Sequence, residues 1–130
     1  MYKPPRRRKL SKAERQAVYL KCGGHCAYCG CEITIQQMQA DHVIPMELYE
    51  SYAVIGQDID TVDNMLPACR SCNYYKSAMT LDRFRAAIER WPTVLHRDSV
   101  TYRNAVRFGM VVPNQKPVIF YFEQEDIHHA

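Results

Sequence analysis

Apolar residues recur at helical spacing in three parts of the chain, and each part predicts a helix. The first opens with an S-x-x-E capping box and is predicted over residues 11–20. A second is predicted over residues 80–91, and Pro92 is expected to end it. A third is predicted over residues 99–108, just before a glycine. Helices are therefore expected on both sides of a less regular middle region.

Shorter apolar runs in the middle and near the end of the chain predict strands. Residues 36–43 predict a strand that ends before Pro45, and residues 117–123 (PVIFYFE) predict another. Between residues 46 and 63 the pattern is irregular, and a loop of that length in a small domain usually has a function. A further short helix is predicted up to about Lys76. Together these elements predict an α+β fold.

The length and composition of the chain limit its architecture and location. With 130 residues it can form one modest hydrophobic core, so residues 11–130 are predicted to be a single domain. No apolar run is long enough to cross a bilayer, and the N-terminal segment lacks the apolar stretch of a secretory signal. We therefore expect a cytoplasmic protein with no membrane partner. Because thiols stay reduced there, the six cysteines are expected to bind metal rather than form disulfides.

Positive charge is concentrated at the N-terminus. The first twelve residues contain six basic residues and no acidic one, whereas the rest of the chain is net negative. Residues 1–10 are predicted to be a flexible basic arm, since they are too polar to bury a core. In this interpretation Arg6, Arg7, Arg8 and Lys9 contact nucleic-acid phosphates and make binding sensitive to salt. The alternative is a tail that only increases solubility.

Two C-x-x-C pairs predict a structural metal site. They are Cys26 with Cys29 and Cys69 with Cys72. Two residues between thiolates allow both sulfurs to reach one ion, and two such pairs complete the tetrahedral Cys₄ site that is usual for structural Zn²⁺. The alternative interpretation is a set of buried or redox-active cysteines. The segment between the two pairs is longer than a simple zinc ribbon needs, so function is expected there.

The residues from Cys26 to Lys76 resemble a known family. A C-x-x-C pair is followed by D-H-V-I-P and then by D-N-M-L-P-A-C-R-S-C-N-Y-Y-K, in the order found in the HNH endonucleases. The resemblance implies a zinc-stapled ββα-metal finger, here flanked by helices, with residues 26–76 as the motif core. The flanking segments are similar to those of small phage-encoded members, for which phage packaging proteins would be expected partners.

Four polar residues in and beside this segment could hydrolyse a phosphodiester. His42 is the candidate general base, because a neutral imidazole can accept a proton near neutral pH. Asp41 and Asn73 can offer oxygen ligands to a divalent cation, which acts as a Lewis acid in such reactions. The resemblance implies that Asn64 orients the histidine. Asn73 stands where the family most often has a second histidine, and its amide oxygen favours Mg²⁺ or Mn²⁺ over Zn²⁺ in the catalytic position.

Two features qualify this active-site interpretation. Adjacent side chains on a regular strand point to opposite faces, so Asp41 and His42 could face one phosphate only where the strand ends. On the following short helix, Arg70, Asn73 and Lys76 recur every third residue and are expected to lie broadly on one side. Arg70 and Lys76 are therefore predicted to contact the phosphate backbone beside the metal.

The function predicted from these residues is a metal-dependent HNH endonuclease that cuts DNA, by nicking or by double-strand cleavage. The first alternative is a non-catalytic zinc module that only binds nucleic acid. Asp41, His42 and Asn73 distinguish the two, since a binding module needs no carboxylate and imidazole between its cysteine pairs. A second alternative is a regulatory module that binds other proteins, against which the basic arm argues.

Overall fold

Ser11 begins the first helix in the way that the capping box predicts. In this computed structural model, which describes residues 7–124, α1 spans Lys12–Leu20. The Ser11 hydroxyl accepts from the Glu14 amide, and the Glu14 carboxylate accepts from the Ser11 amide at 3.0 Å. The predicted helix is confirmed. Its start is fixed because the two side chains accept hydrogen bonds from two backbone amides that would otherwise lack partners.

Two short antiparallel strands form the sheet. The strand β1 spans Gln39–His42 and pairs with β2, Met65–Ala68, so that Asp41 lies opposite Leu66 and His42 opposite Met65. The prediction of a strand over residues 36–43 was too long at its start, because residues 35–37 form a turn. The second strand was not predicted, since the proline in MLPA is disfavoured inside a sheet.

The connection between the strands is mostly irregular, as predicted, and it contains short helical turns. It includes 3₁₀ turns at Met46–Leu48 and Val62–Asn64 and a helix, α2, at Tyr49–Val54. The helix α3, Arg70–Lys76, follows β2 directly and begins at Cys69, whose sulfur accepts from the Cys72 amide. The order β1, β2, α3 gives the predicted ββα finger and the α+β class.

A small core lies beneath the finger and α1. Val18, Ile33, Met38 and Met65 form a buried cluster, and Leu10 packs against it from the segment before α1. The apolar face of α1 therefore holds the sheet from one side. Residues 8–10 were predicted to belong to a flexible arm, but Leu10 and Arg8 contact the rest of the protein, so that prediction was wrong at its C-terminal end.

Two helices follow the finger and lie in a separate compact unit, Asp82–Val118. The helix α4 spans Leu81–Asp98 and α5 spans Val100–Arg107, with the Ser99 hydroxyl accepting from the Tyr102 amide at the start of α5. Pro92 lies inside α4 and does not end it, contrary to prediction. The other unit runs up to Leu81 and resumes at Ile119.

The segment after this unit returns to the first cysteine pair. The amides of Tyr121 and Phe122 donate to the carbonyls of Tyr28 and Ala27, at 3.1 and 2.9 Å. The Phe120 ring meets the Tyr28 ring edge-on, with centroids 5.3 Å apart. Residues 117–120 have no regular structure and Tyr121–Glu123 is a 3₁₀ turn, so the predicted strand over residues 117–123 was wrong. The run is rich in aromatic residues because Phe120 and Phe122 pack on the Tyr28 ring.

No helix in the described chain is long and apolar enough to cross a membrane.

Candidate active site and metal centre

The four paired cysteines come together in one cluster. The sulfur atoms of Cys26, Cys29, Cys69 and Cys72 all lie within 4.8 Å of one another, and those of Cys29 and Cys69 are 3.9 Å apart. Ligands at a zinc–sulfur distance of about 2.3 Å in a tetrahedron are about 3.8 Å apart. The cluster can therefore hold a metal ion such as zinc, as the spacing predicted.

Backbone amides and tight turns build this cluster. The amide of Tyr28 donates to the Cys26 sulfur at 3.4 Å, and the amide of Cys72 donates to the Cys69 sulfur at 3.3 Å. Such amides stabilise thiolates, which are the form that binds metal. Gly30 ends the first turn with φ +82°, and a Cβ there would lie 2.7 Å from the Tyr121 ring, so only glycine fits without a shift.

Hydrogen bonds between the sulfurs shift the pKa values of the cysteines. The Cys72 thiol donates to the Cys26 sulfur, and this lowers the pKa of Cys26 to about 4 although burial acts in the opposite direction. Cys31 lies next to the cluster, and burial together with hydrogen bonding to Cys29 raises its pKa to about 12. Cys31 is not one of the four residues that could share an ion among the described residues.

Asp41 is buried at the point where the first cysteine pair, β1 and α3 meet. Its Oδ2 atom accepts from the Tyr28 hydroxyl at 2.5 Å and lies 3.0 Å from the ammonium of Lys76. Burial raises the pKa of Tyr28, and the nearby Asp41 carboxylate raises it further, so this phenol stays a donor. All of these contacts use one carboxylate oxygen.

Lys76 does not lie on the surface. Its side chain is fully buried, and its ammonium also donates to the backbone carbonyl of His42 at 2.9 Å. The prediction that Lys76 contacts DNA phosphates is therefore wrong for this position. A three-residue spacing advances around a helix by less than a full turn, so the third residue of the series turns inward. Lys76 instead supplies positive charge to Asp41.

His42 is held by an acid that was not predicted. Its Nε2 atom lies 2.8 Å from Oδ1 of Asp60, and both side chains are almost entirely buried. The Nδ1 atom is also buried and has no hydrogen-bond partner in the described chain. A carboxylate at Nε2 favours the tautomer that carries its proton there, which leaves the Nδ1 lone pair available.

Asp60 itself is held ionised by its neighbours. Burial raises the pKa of Asp60, but hydrogen bonds from the Arg8 amide and from His42 outweigh it, so the pKa lies below its usual value. Nothing in the sequence distinguishes Asp60 from Asp58 or Asp63 in the same connection. Its role depends on a contact with a residue that is distant in the chain, which no local pattern indicates.

Asn64 fixes the chain immediately after His42. Its side-chain oxygen accepts from the Ile44 amide at 3.0 Å, and its amide nitrogen donates to the carbonyls of Ile44 and Ile59 at 3.0 and 2.8 Å. The imidazole of His42 is not among its partners. Asn64 therefore holds the backbone after His42 and the backbone before Asp60, rather than the ring itself.

The two remaining candidates in this region lie on α3. Asn73 is half-buried one turn before Lys76, and its side-chain amide makes no hydrogen bond with the described residues. Arg70 is exposed at the start of the same helix. Asp41 and His42 both belong to β1 and contact different elements, as the alternation of a strand requires. Of the predicted basic residues at the N-terminus, Arg6 lies outside the described residues, and Arg7 and Lys9 are exposed.

One comparison with known proteins finds a family over this part of the chain. The family model described as HNH endonuclease matches residues 26–78. That range contains the four clustered cysteines. It also contains Asp41 and His42 with their side-chain partners Tyr28, Lys76 and Asp60. Neither the curated proteins nor the solved structures contain a significant match to the chain.

Proposed function

We propose, from the match of residues 26–78 to the HNH endonuclease family model, that the protein is a metal-dependent endonuclease that hydrolyses phosphodiester bonds in DNA. One observation supports this most directly. A buried histidine has its Nε2 atom on a carboxylate and its Nδ1 atom unpartnered among the described residues, and the preceding residue is a second buried carboxylate. A module that only binds nucleic acid gains nothing from this costly arrangement.

In this proposal His42 is the general base. Its Nδ1 atom accepts a proton from the attacking water, while Asp60 accepts the Nε2 hydrogen and stabilises the imidazolium that forms. Burial of both groups strengthens this pairing, since water does not screen it. The Nδ1 lone pair must therefore face the bound phosphodiester for the reaction to proceed.

The residues present offer oxygen ligands of the kind that a divalent cation binds. Asp41 and the Asn73 side-chain amide would hold it, because oxygen atoms are the ligands that Mg²⁺ and Mn²⁺ prefer. Asp41 has one oxygen engaged by Tyr28 and Lys76, and its other oxygen has no partner among the described residues. A bound cation would neutralise phosphate charge and stabilise the leaving oxygen.

The four clustered cysteines would hold structural zinc. Zinc would connect the turn after Cys26 to the start of α3, and so fix the distance between the two walls of the site. Metal binding at such sites contributes directly to the free energy of folding. The proposed zinc therefore acts on structure and the proposed Mg²⁺ or Mn²⁺ on chemistry.

DNA would approach the exposed side of α3. Arg70 is exposed there and would contact a phosphate, and the basic residues before α1 would add affinity that does not depend on sequence. Family chemistry implies products with 5′-phosphate and 3′-hydroxyl ends. A phage origin and packaging partners stay predictions from the resemblance.

Cleavage of supercoiled plasmid tests this proposal. The protein should convert it to nicked or linear DNA with Mg²⁺ or Mn²⁺ and not with excess EDTA. His42→Ala should abolish conversion, because a base acts on the transition state, while fold and DNA affinity are retained. His96→Ala, at an exposed position in α4, is the matched control and should cut normally. DNA binding without cleavage under all conditions would favour the non-catalytic module.

A further inference from the structure

We propose that Arg8 is a positioning residue of the active site, which holds Asp60 so that Asp60 can hold His42. This inference rests on the proposed role of His42 as the base. It assigns to the end of the basic segment a function that differs from phosphate binding.

Arg8 contacts Asp60 on the side away from the histidine. Its backbone amide donates to Oδ2 of Asp60 at 3.0 Å, and its Nε atom donates to the Asp60 carbonyl, also at 3.0 Å. The other carboxylate oxygen, Oδ1, is the one that contacts His42. The two carboxylate oxygens of Asp60 are thus divided between the imidazole and the Arg8 backbone amide, while the Arg8 side chain holds the Asp60 backbone.

This second contact matters because of where Asp60 lies. It belongs to the long connection between β1 and β2, where residues 55–58 just before it have exposed side chains. A carboxylate held by one hydrogen bond can rotate easily about its terminal torsion, which has broad energy wells. With Arg8 on the opposite oxygen, rotation breaks two hydrogen bonds, so the imidazole stays in one orientation.

Arg8 is in turn anchored to α1. Its Nη1 atom donates to the Glu14 carboxylate at 2.7 Å, and the other oxygen of Glu14 closes the capping box with Ser11. Leu10 packs on the core between them. The capping box of α1 is therefore connected through Arg8 to Asp60 and the catalytic histidine.

The neighbours of Arg8 provide matched controls. Arg7, Arg8 and Lys9 are all exposed and carry the same charge, but Arg7 and Lys9 make no hydrogen bond with the described residues. If Arg8 only attracts DNA, then Arg7→Ala, Arg8→Ala and Lys9→Ala should behave alike. If Arg8 positions Asp60, only Arg8→Ala should slow the chemical step.

The first experiment separates turnover from binding. With full-length protein at saturating DNA, Arg8→Ala should lower kcat about tenfold, as removal of a supporting hydrogen bond commonly does. Arg7→Ala and Lys9→Ala should keep kcat and change only KM. Arg8→Lys should restore KM but not kcat, because a lysine keeps the charge and lacks the Nε–H donor. Equal kcat values in Arg7→Ala and Arg8→Ala would overturn the inference.

The second experiment does not require cleavage. In free protein labelled with ¹⁵N, the Nε2–H resonance of His42 should be detectable in wild type and in Arg7→Ala. In Arg8→Ala it should shift or broaden, because the substitution removes the side-chain contacts to the Asp60 carbonyl and to Glu14 that hold the residue 8 amide against the Asp60 carboxylate. An unchanged resonance in Arg8→Ala would overturn the inference. If wild type cuts no DNA, the proposed function fails, while this resonance still decides whether Arg8 holds Asp60 and His42.

Discussion

The ammonium nitrogen of Lys76 lies 3.0 Å from Oδ2 of Asp41, and the lysine side chain has no exposed surface. The same nitrogen donates to the His42 carbonyl, so one buried charge contacts two consecutive residues of β1. Asp41 therefore has a positive partner before any divalent cation binds. This partner lowers the cost of burying the carboxylate and leaves its second oxygen for a metal.

Loss of the Lys76 ammonium should destabilise the protein strongly. Lys76→Met should reduce the free energy of unfolding by about 3–5 kcal/mol, because it leaves a buried carboxylate without its charged partner. Urea denaturation measures this, and Lys12→Met at the exposed start of α1 should change little. A decrease in Lys76→Met as small as that in Lys12→Met would show that the buried pair contributes no stability.

The cysteine cluster should contain about one zinc per chain. Cys69→Ser should lose the metal and unfold, because zinc binding supplies part of the folding free energy. Cys31→Ser, next to the cluster and outside the set of four, should keep both metal and fold. Elemental analysis and circular dichroism measure these outcomes. Zinc retained by Cys69→Ser, or released by Cys31→Ser, would mean that the four ligands are assigned wrongly.

The roles of the three active-site candidates should separate in a metal titration. Asp41→Asn, which keeps an oxygen for Tyr28 and the buried Lys76 ammonium, and Asn73→Ala should cut DNA poorly, and excess Mg²⁺ or Mn²⁺ should partly restore cleavage, since both residues are proposed ligands. His42→Ala should stay inactive at every metal concentration, because an ion cannot replace a proton acceptor. Rates measured across the titration decide this. Equal recovery of all three variants would make His42 a ligand.

The basic residues before Arg8 should affect binding and leave turnover unchanged. Replacing Lys3, Arg6 and Arg7 with alanine should weaken DNA binding and flatten its salt dependence, by about 0.9 in the log–log slope for each phosphate that the protein no longer neutralises. Binding titrations at several salt concentrations measure the slope. At saturating DNA, kcat should match wild type. An unchanged slope would make this segment a solubilising tail.

The parts of the site that the sequence predicts are those encoded locally. The capping box at Ser11, the two cysteine pairs and the helix α3 depend on residues a few positions apart. Asp60 and Arg8 could not be predicted, because Asp60 acts on His42 across 18 positions and Arg8 acts on Asp60 across 52. No short pattern encodes such pairs, since the fold alone brings them together.

The incorrect predictions share one cause, because each took a local preference to decide the structure at its position. Pro92 lacks the backbone N–H that α4 would use there, yet the helix continues through it to Asp98. The apolar run at residues 117–123 looks like a strand, but within it only Phe120 is buried, and its ring packs on Tyr28 without strand pairing. Lys76 is charged and was therefore expected at the surface, but Asp41 satisfies it inside the protein.

Phe120, which packs on the Tyr28 ring, is synthesised after all the other residues of the site. A nascent chain that has not yet reached Phe120 already contains both cysteine pairs and every acid and histidine of the site. Its Tyr28 ring nevertheless lacks the aromatic face that holds it against Asp41. Contacts so distant in sequence form late, because they require closure of a long loop. A fragment cut at the borders of the motif would therefore fold poorly, and any such fragment should retain residues 120–123.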